Sequence, residues 1–223
     1  MDLSPILISL KTASLAIIIT FFAGIAVAYK VVYMKNEKAR MIMDGLLTLP
    51  LVLPPTVAGF FLLYIFGVKR PIGMMLVEFF GIKVTFSWGA TVIAAVAISF
   101  PLMYRSARGA FEQVDQNLLY AGRTLGLSEW TIFWKVLFPN ALSGILSGGI
   151  LAFARGLGEF GATSMIAGNI AGKTRTLPLA VYSEVAAGNM EGAYKYVLIL
   201  VLISFIVVTG MNYVTHSFQK RGR

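Results

Sequence analysis

"YAGRTLGLSEWTIFWKVLFPNAL", residues 120–142, sets two glycines, an arginine, a glutamate, a lysine and two tryptophans into a chain that is otherwise mostly apolar. Leu118, Leu119, Gly122 and Leu125 recur at helical spacing, which predicts a short amphipathic helix with Tyr120, Arg123 and Thr124 on its other faces. Gly126 fits the position just past a helix end, where glycine takes the left-handed conformation cheaply. Ser128 then fits an N-cap, with Glu129 in the first turn, where negative charge is favoured. Trp130, Trp134 and Leu137 form the next helical face, and tryptophan suits a membrane–water boundary. Pro139 biases Phe138 away from helix and predicts a bend before the next apolar run. The stretch reads as helix, glycine, helix, lying against a membrane.

The rest of the chain supplies that membrane. Of 223 residues 57% are hydrophobic and 13% charged, with mean hydropathy +0.78. A soluble domain carries about 25% charged residues, so water is the wrong solvent for this surface. There is no cysteine, which excludes a disulfide framework or a thiolate metal site. Carboxylates are scattered, and no metal-ligand or Ser/His/Asp spacing appears, so neither a metal site nor catalysis is expected of this chain.

A spanning helix needs about 20 apolar residues. Five stretches qualify, roughly 6–29, 45–66, 86–104, 142–160 and 196–215. The first is read as a retained span: Asp2 stands where a signal peptide carries basic residues, and the apolar run is too long. Ala162–Gly172 and Leu177–Ala187 are apolar but too short to cross, so 160–195 is read as a re-entrant or interfacial excursion. The predicted architecture is an all-α integral membrane protein of about five spans. It forms a single domain over 1–223, with a core about 6–215 and a loop about 112–139.

Loop charge sets the orientation. Eleven Lys and Arg residues fall in the 30–41 loop, the 105–141 loop and the C-terminal tail, against six in the loops on the other side. This bias puts the first set, and the C-terminus, in the cytoplasm and the N-terminus outside. The net charge of +9 is then topological, and no nucleic-acid partner is expected.

The 120–139 stretch also resembles a motif of the permease subunits of ABC importers: E-A-A, three residues, G, nine residues, I-x-L-P. It falls here on Tyr120, Ala121 and Gly122, then Gly126, then Val136, Leu137, Phe138 and Pro139. The glycine-to-proline spacing is kept, Tyr120 replaces the glutamate and Gly122 the second alanine. "LPLVLPPTVAG" (49–59), "FARGLGEFGAT" (153–163) and "AGNIAGKTRTLPLAVY" (167–182) look like the molybdate branch of that family, and the resemblance runs over nearly the whole chain. It implies a type I importer permease fold in the inner or plasma membrane. It implies a non-catalytic homodimer that binds no cofactor itself, translocating molybdate, with tungstate as a relative. Partners would be a cytoplasmic ATPase subunit that uses the ATP and an extracytoplasmic oxyanion-binding protein. Tyr120, Ala121, Gly122, Arg123, Gly126, Val136, Phe138 and Pro139 would form the ATPase-coupling loop, with Arg123 free to pair with an acidic rim. A permease for sulfate or another small solute is the alternative. A self-contained secondary transporter is disfavoured, because neither paired broken repeats nor clustered titratable residues are evident.

Other residues have two readings each. Pro50, Pro54 and Pro55 must interrupt the backbone ladder of the second span, either as a packing kink or along a water-filled path with Thr56 as a candidate oxyanion donor. Arg155 and Glu159, spaced i,i+4, are either a gate or a structural pair fixing helix register. Glycines 144, 148, 149, 156, 158 and 161 allow close helix approach and are expected at a dimer centre. Residues 167–174 match a relaxed phosphate loop, but no strand pattern precedes them and Ala167 replaces the first glycine. Lys173 and Arg175 are read instead as outer-mouth cations that attract an arriving anion. The lone His216 is read as interfacial.

Overall fold

The computed structural model describes residues 2–221, with side chains described as far as Tyr213; His216 and the tail cations lie beyond those side chains. The described residues form helices and no strands. Four helices are long and apolar enough to cross a membrane, and a sharply bent pair makes a fifth crossing if counted as one.

Helix α1 (Ser4–Val32) starts where the Asp2 carboxylate accepts the Ser4 backbone N–H at 2.8 Å and its hydroxyl at 2.6 Å. Helix α2 (Glu37–Val52) is capped by Asn36, whose side chain accepts the Ala39 N–H. The backbone then turns by 113° into α3 (Pro55–Phe66). Leu53 and Pro54 are extended there, as expected of residues that precede prolines. The second predicted span is therefore two helices meeting at an angle. Helix α4 (Pro71–Phe80) ends at Gly81, whose φ of 64° is left-handed.

Helix α5 (Trp88–Glu112) is the central rod. It runs parallel to α1: the Thr12 and Thr91 hydroxyls lie 2.8 Å apart near one end, and Gly24 packs on Met103 further along. The chain then forms α6 (Gln116–Thr124), α7 (Glu129–Ile132), a π-helical turn over Phe133–Leu137 and α8 (Phe138–Leu157). Together Glu129–Leu157 make one apolar path of crossing length. The expected bend at Pro139 is absent: Phe138 is helical, with φ −62° and ψ −45°, and the proline sits in the first turn of α8. Proline lacks an N–H and its ring crowds the carbonyl four residues back. The π turn shifts the bonding instead, with the Phe138 N–H reaching the Phe133 carbonyl. The Asn140 side chain donates to the Val136 carbonyl at 2.7 Å.

Helix α8 packs antiparallel on α5, and its glycines are consumed there. A Cβ on Gly144 would lie 2.7 Å from the Ala110 Cβ, one on Gly148 would overlap Ser106, and Gly156 faces Ser99 and Ala95. Gly149 meets Phe21 of α1, and Gly161 abuts Pro55 of α3. These glycines therefore serve contacts within one chain, which corrects the expectation that they line a dimer centre. Gly158 meets only the carbonyl of Ala154 in its own helix. Replacing Gly148 with valine is expected to destabilise the fold by about 2 kcal/mol through overpacking. Thermal unfolding of the detergent-solubilised protein would show this as a lowered Tm, and an unchanged Tm would refute the contact.

The excursion after α8 is two short helices, α9 (Gly161–Ile166) and α10 (Leu177–Ala186), neither long enough to cross. Helix α10 is tied to α1 by the Leu177 N–H on Ser9 Oγ at 2.7 Å. Helix α11 (Met190–Arg221) begins six residues before the predicted span, and its Tyr196 hydroxyl donates to the Asp2 carbonyl. The main core joins α1, α5, α8 and the loop through Met103, Tyr104, Phe111, Leu119, Leu137 and Ile145. By contrast α11 exposes Leu198, Leu202 and Phe205, an apolar face suited to lipid or another membrane helix.

Candidate coupling loop and translocation elements

The loop between α5 and α8 is held by local bonds at every joint. Asp115 caps α6 by accepting the Asn117 N–H at 2.9 Å. At the other end the Gly126 N–H reaches Arg123 O at 2.9 Å and the Leu127 N–H reaches Gly122 O at 3.1 Å. This paired closure needs a left-handed residue, and Gly126 supplies φ +74°. Ser128 caps α7, its Oγ accepting the Thr131 N–H at 3.2 Å.

Arg123 is already engaged. Its Nε and Nη2 donate to the two oxygens of Glu129 at 2.7 and 3.1 Å, a bidentate clasp across the glycine turn. That carboxylate holds the guanidinium above its ordinary pKa. The Arg123 charge also lies 5.7 Å from the centre of the Tyr120 ring. Gly122 is buried, 3.1 Å from Ile132 Cγ1 as measured from a built Cβ, so its smallness closes the loop on itself. Ala121 and Gly126 remain exposed. Of the predicted apolar face only Leu119 and Gly122 turn inward; Leu118 and Leu125 stay outside. Tyr120 is 57% exposed, Leu125 78% and Trp130 71%, so the tip presents a largely exposed apolar surface.

Val136, Phe138 and Pro139 lie away from that tip, in the π turn and the start of α8. An aromatic chain anchors them: Tyr29 to Phe133 at 5.0 Å, Phe133 to Trp134 at 5.0 Å and Trp134 to Phe138 at 5.2 Å between ring centres.

At the far end of α8 the structure brings the other candidates together. Glu159 is only 2% exposed. Its Oε1 accepts the Ala162 N–H at 2.7 Å, holding the first turn of α9. Its Oε2 lies 2.7 Å from Arg155 Nη1, an ion pair angled off a hydrogen bond, which leaves that oxygen without a hydrogen-bond partner among the described residues. The next glycine, Gly161, packs on Pro55 Cβ and the Thr56 nitrogen, at 2.9 and 3.1 Å from a built Cβ, and Gly59 packs on Ala162. The proline break and the acidic cap are thus neighbours, and Pro54 and Thr56 are exposed beside them.

Residues 167–174 form no phosphate cradle. They follow α9 instead of a strand, and the N–H groups of Lys173, Thr174 and Arg175 all turn onto the Ile170 carbonyl, at 3.1, 2.9 and 3.0 Å. Arg175 donates to Asn169, which donates on to Ser183, while Lys173 is exposed.

One network went unread in the sequence. Asp44 of α2 pairs with Arg108 of α5, accepts the Tyr104 hydroxyl at 3.0 Å, and Arg108 also holds Glu112 at 2.9 Å. Helix α2 buries no residue fully, so this cluster is its principal polar tie to the core. The available signal was an acidic residue beginning an apolar span.

A bent, proline-broken span beside a central helical bundle, with a preformed loop exposed at one end, is the build of a membrane permease. The chain belongs to the family described as binding-protein-dependent transport system inner membrane component, whose model matches residues 10–220. It is thus a multi-pass inner-membrane transport subunit, and ATP hydrolysis falls to a separate chain.

Relatives include the molybdenum transport system permease protein ModB of Escherichia coli K12, 43% identical over 202 residues, covering 90% of this chain and 88% of that one. The putative molybdenum transport system permease protein YvgM of Bacillus subtilis is 40% identical, covering 92% and 90%. A probable sulfate transport system permease protein of Chlorokybus atmophyticus is 32% identical, covering 95% and 73%. Among solved structures, an inward-facing MetNI methionine ABC transporter superposes with TM-score 0.75 at 16% identity, covering 96% and 94%. A bacterial ABC importer of alginate superposes with TM-score 0.76 at 12% identity, covering 96% and 79%. These two establish the type I importer permease fold.

Proposed function

We propose that this chain is the permease subunit of an ATP-driven importer of molybdate, with tungstate as the isosteric substrate. An extracytoplasmic binding protein delivers the oxyanion, and two copies of the chain form the membrane unit. The loop end faces the cytoplasm, as the eleven-to-six bias of Lys and Arg favours, so the N-terminus is outside. Its exposed tip, with Tyr120, Leu125 and Trp130, meets the ATPase subunit. The observation that carries this reading is the 43% identity to a molybdenum permease over 90% of the chain, with an exposed, prefolded loop at the position of the coupling motif.

The site chemistry agrees. Pro55 and Thr56 sit at a helix break against Gly161, and backbone freed at membrane depth is tolerated only against protein or a water-filled path. Lys173, exposed in the segment between α9 and α10, offers positive charge to an arriving anion.

Proteoliposomes holding the chain with the ATPase and binding protein encoded beside it provide the test. ATP-dependent molybdate uptake, competed by tungstate and not by tenfold sulfate, is the expected result. Equal competition by sulfate would favour the sulfate alternative. Failure to co-purify with any ATPase would end the importer reading altogether.

A further inference from the structure

Two arginines stand three residues apart on α5 and have opposite fates. Arg108 is spent on Asp44 and Glu112. Arg105 makes no ion pair among the described residues and is exposed. It lines the mouth of a groove of about 670 Å³ between the end of α5 and the start of α8, beside the loop. Four of the groove's other polar walls are neutral: Ser106, Gln113, Asn140 and Ser143. Gly109 leaves it open, with nothing within 4 Å of a Cβ built there. The single carboxylate on its wall, Asp115, has one oxygen committed to capping α6.

An unpaired guanidinium among hydroxyl and amide donors is the donor set that recognises a tetrahedral oxyanion. The groove also continues onto a polar edge of α8. Asn140, Ser143, Ser147 and Arg155 recur at helical spacing and are all at least partly exposed, with Leu151, 55% exposed, the one apolar rung. Hydroxyls and amides on a spanning helix belong against protein or water, not lipid.

We infer that the Arg105 groove is an oxyanion subsite at the loop end of the permease, the last station before release. It would bind a dianion such as molybdate between Arg105 and the Ser106, Asn140 and Ser143 side chains. A station on a conduction path must bind firmly enough to be entered and weakly enough to be left. One cation, tempered by the Asp115 carboxylate on the same wall and with no second positive charge there, fits that requirement. This inference rests on the oxyanion-importer reading above.

The experiment uses the assembled permease–ATPase complex in nanodiscs, without nucleotide or binding protein, and labelled molybdate as the probe. Saturable binding is expected in the wild type, weakened at least tenfold in Arg105→Ala and about threefold in Ser143→Val, with Arg105→Lys close to wild type. In uptake assays Arg105→Ala should lower kcat and leave KM, which the binding protein sets, within twofold. Unaltered binding in Arg105→Ala, with wild-type uptake of molybdate intact, overturns the subsite and leaves the importer reading standing. Molybdate binding lost in Arg105→Ala from a complex that transports no molybdate supports the subsite and sinks that reading instead. Should Arg105→Ala fail to assemble, Arg105→Gln decides, tenfold weaker binding supporting the site and unchanged binding overturning it.

Discussion

Alanine at position 159 is expected to destabilise the permease by about 3 kcal/mol, because the change removes one half of a buried ion pair and a helix cap together. Glu159 is 2% exposed, holds the Ala162 N–H and faces Arg155. Its loss leaves the Ala162 donor unpaired and the guanidinium without a counter-charge. Thermal unfolding of Glu159→Ala should show a fall of several degrees, and the double variant with Arg155→Ala should recover part of it. Glu159→Gln separates structure from transport. Its amide oxygen still accepts from Ala162, so assembly persists, while the lost charge frees Arg155. Uptake should then drop on the order of tenfold, equivalent to about 1.4 kcal/mol on the limiting step. Wild-type uptake in Glu159→Gln would reduce the pair to a packing role.

The second large effect concerns the loop tip. Leu125 is 78% exposed and ends α6 with no packing duty in this chain, so Leu125→Asp leaves the fold intact. If the tip enters a partner's groove, a buried carboxylate there costs 2 kcal/mol or more, about 30-fold in affinity. Co-purification with the ATPase should fall accordingly, with circular dichroism and Tm unchanged. Retained assembly would move the docking surface elsewhere.

What the sequence disclosed follows from the reach of its signals. The spans were legible because apolar run length is a local property. The caps at Gly126 and Ser128 were legible because each turn chemistry demands a particular residue type within four positions. Pairings across space were not. Arg123 and Glu129 stand six apart, off any helical spacing, and meet only because the glycine turn folds one helix back on the other. The glycines of α8 declared that something packs closely, but composition does not say whether α5 or a second copy does so. Pro139 predicts a bend by the α-helical rule, but a π turn satisfies the same steric demand without one. The fall of Glu159 beside Pro55 and Thr56, about a hundred residues away in sequence, needed the fold.

The clasped loop also explains the most visible departure from the family motif. With Arg123 already held by two oxygens of Glu129, a glutamate at position 120 would compete for the same guanidinium. Tyr120 instead presents a ring face to it.

The unbroken path from Glu129 to Leu157 has a mechanical consequence. At about 1.5 Å per residue its 29 residues make a lever about 43 Å long, so a tilt of about 10° at one end sweeps the other by about 7 Å. One end of that lever carries the loop, and the other ends two residues before Glu159, which grips α9 against the proline break. A displacement imposed on the loop would therefore be carried along one continuous element to the neighbourhood of the proline break between α2 and α3.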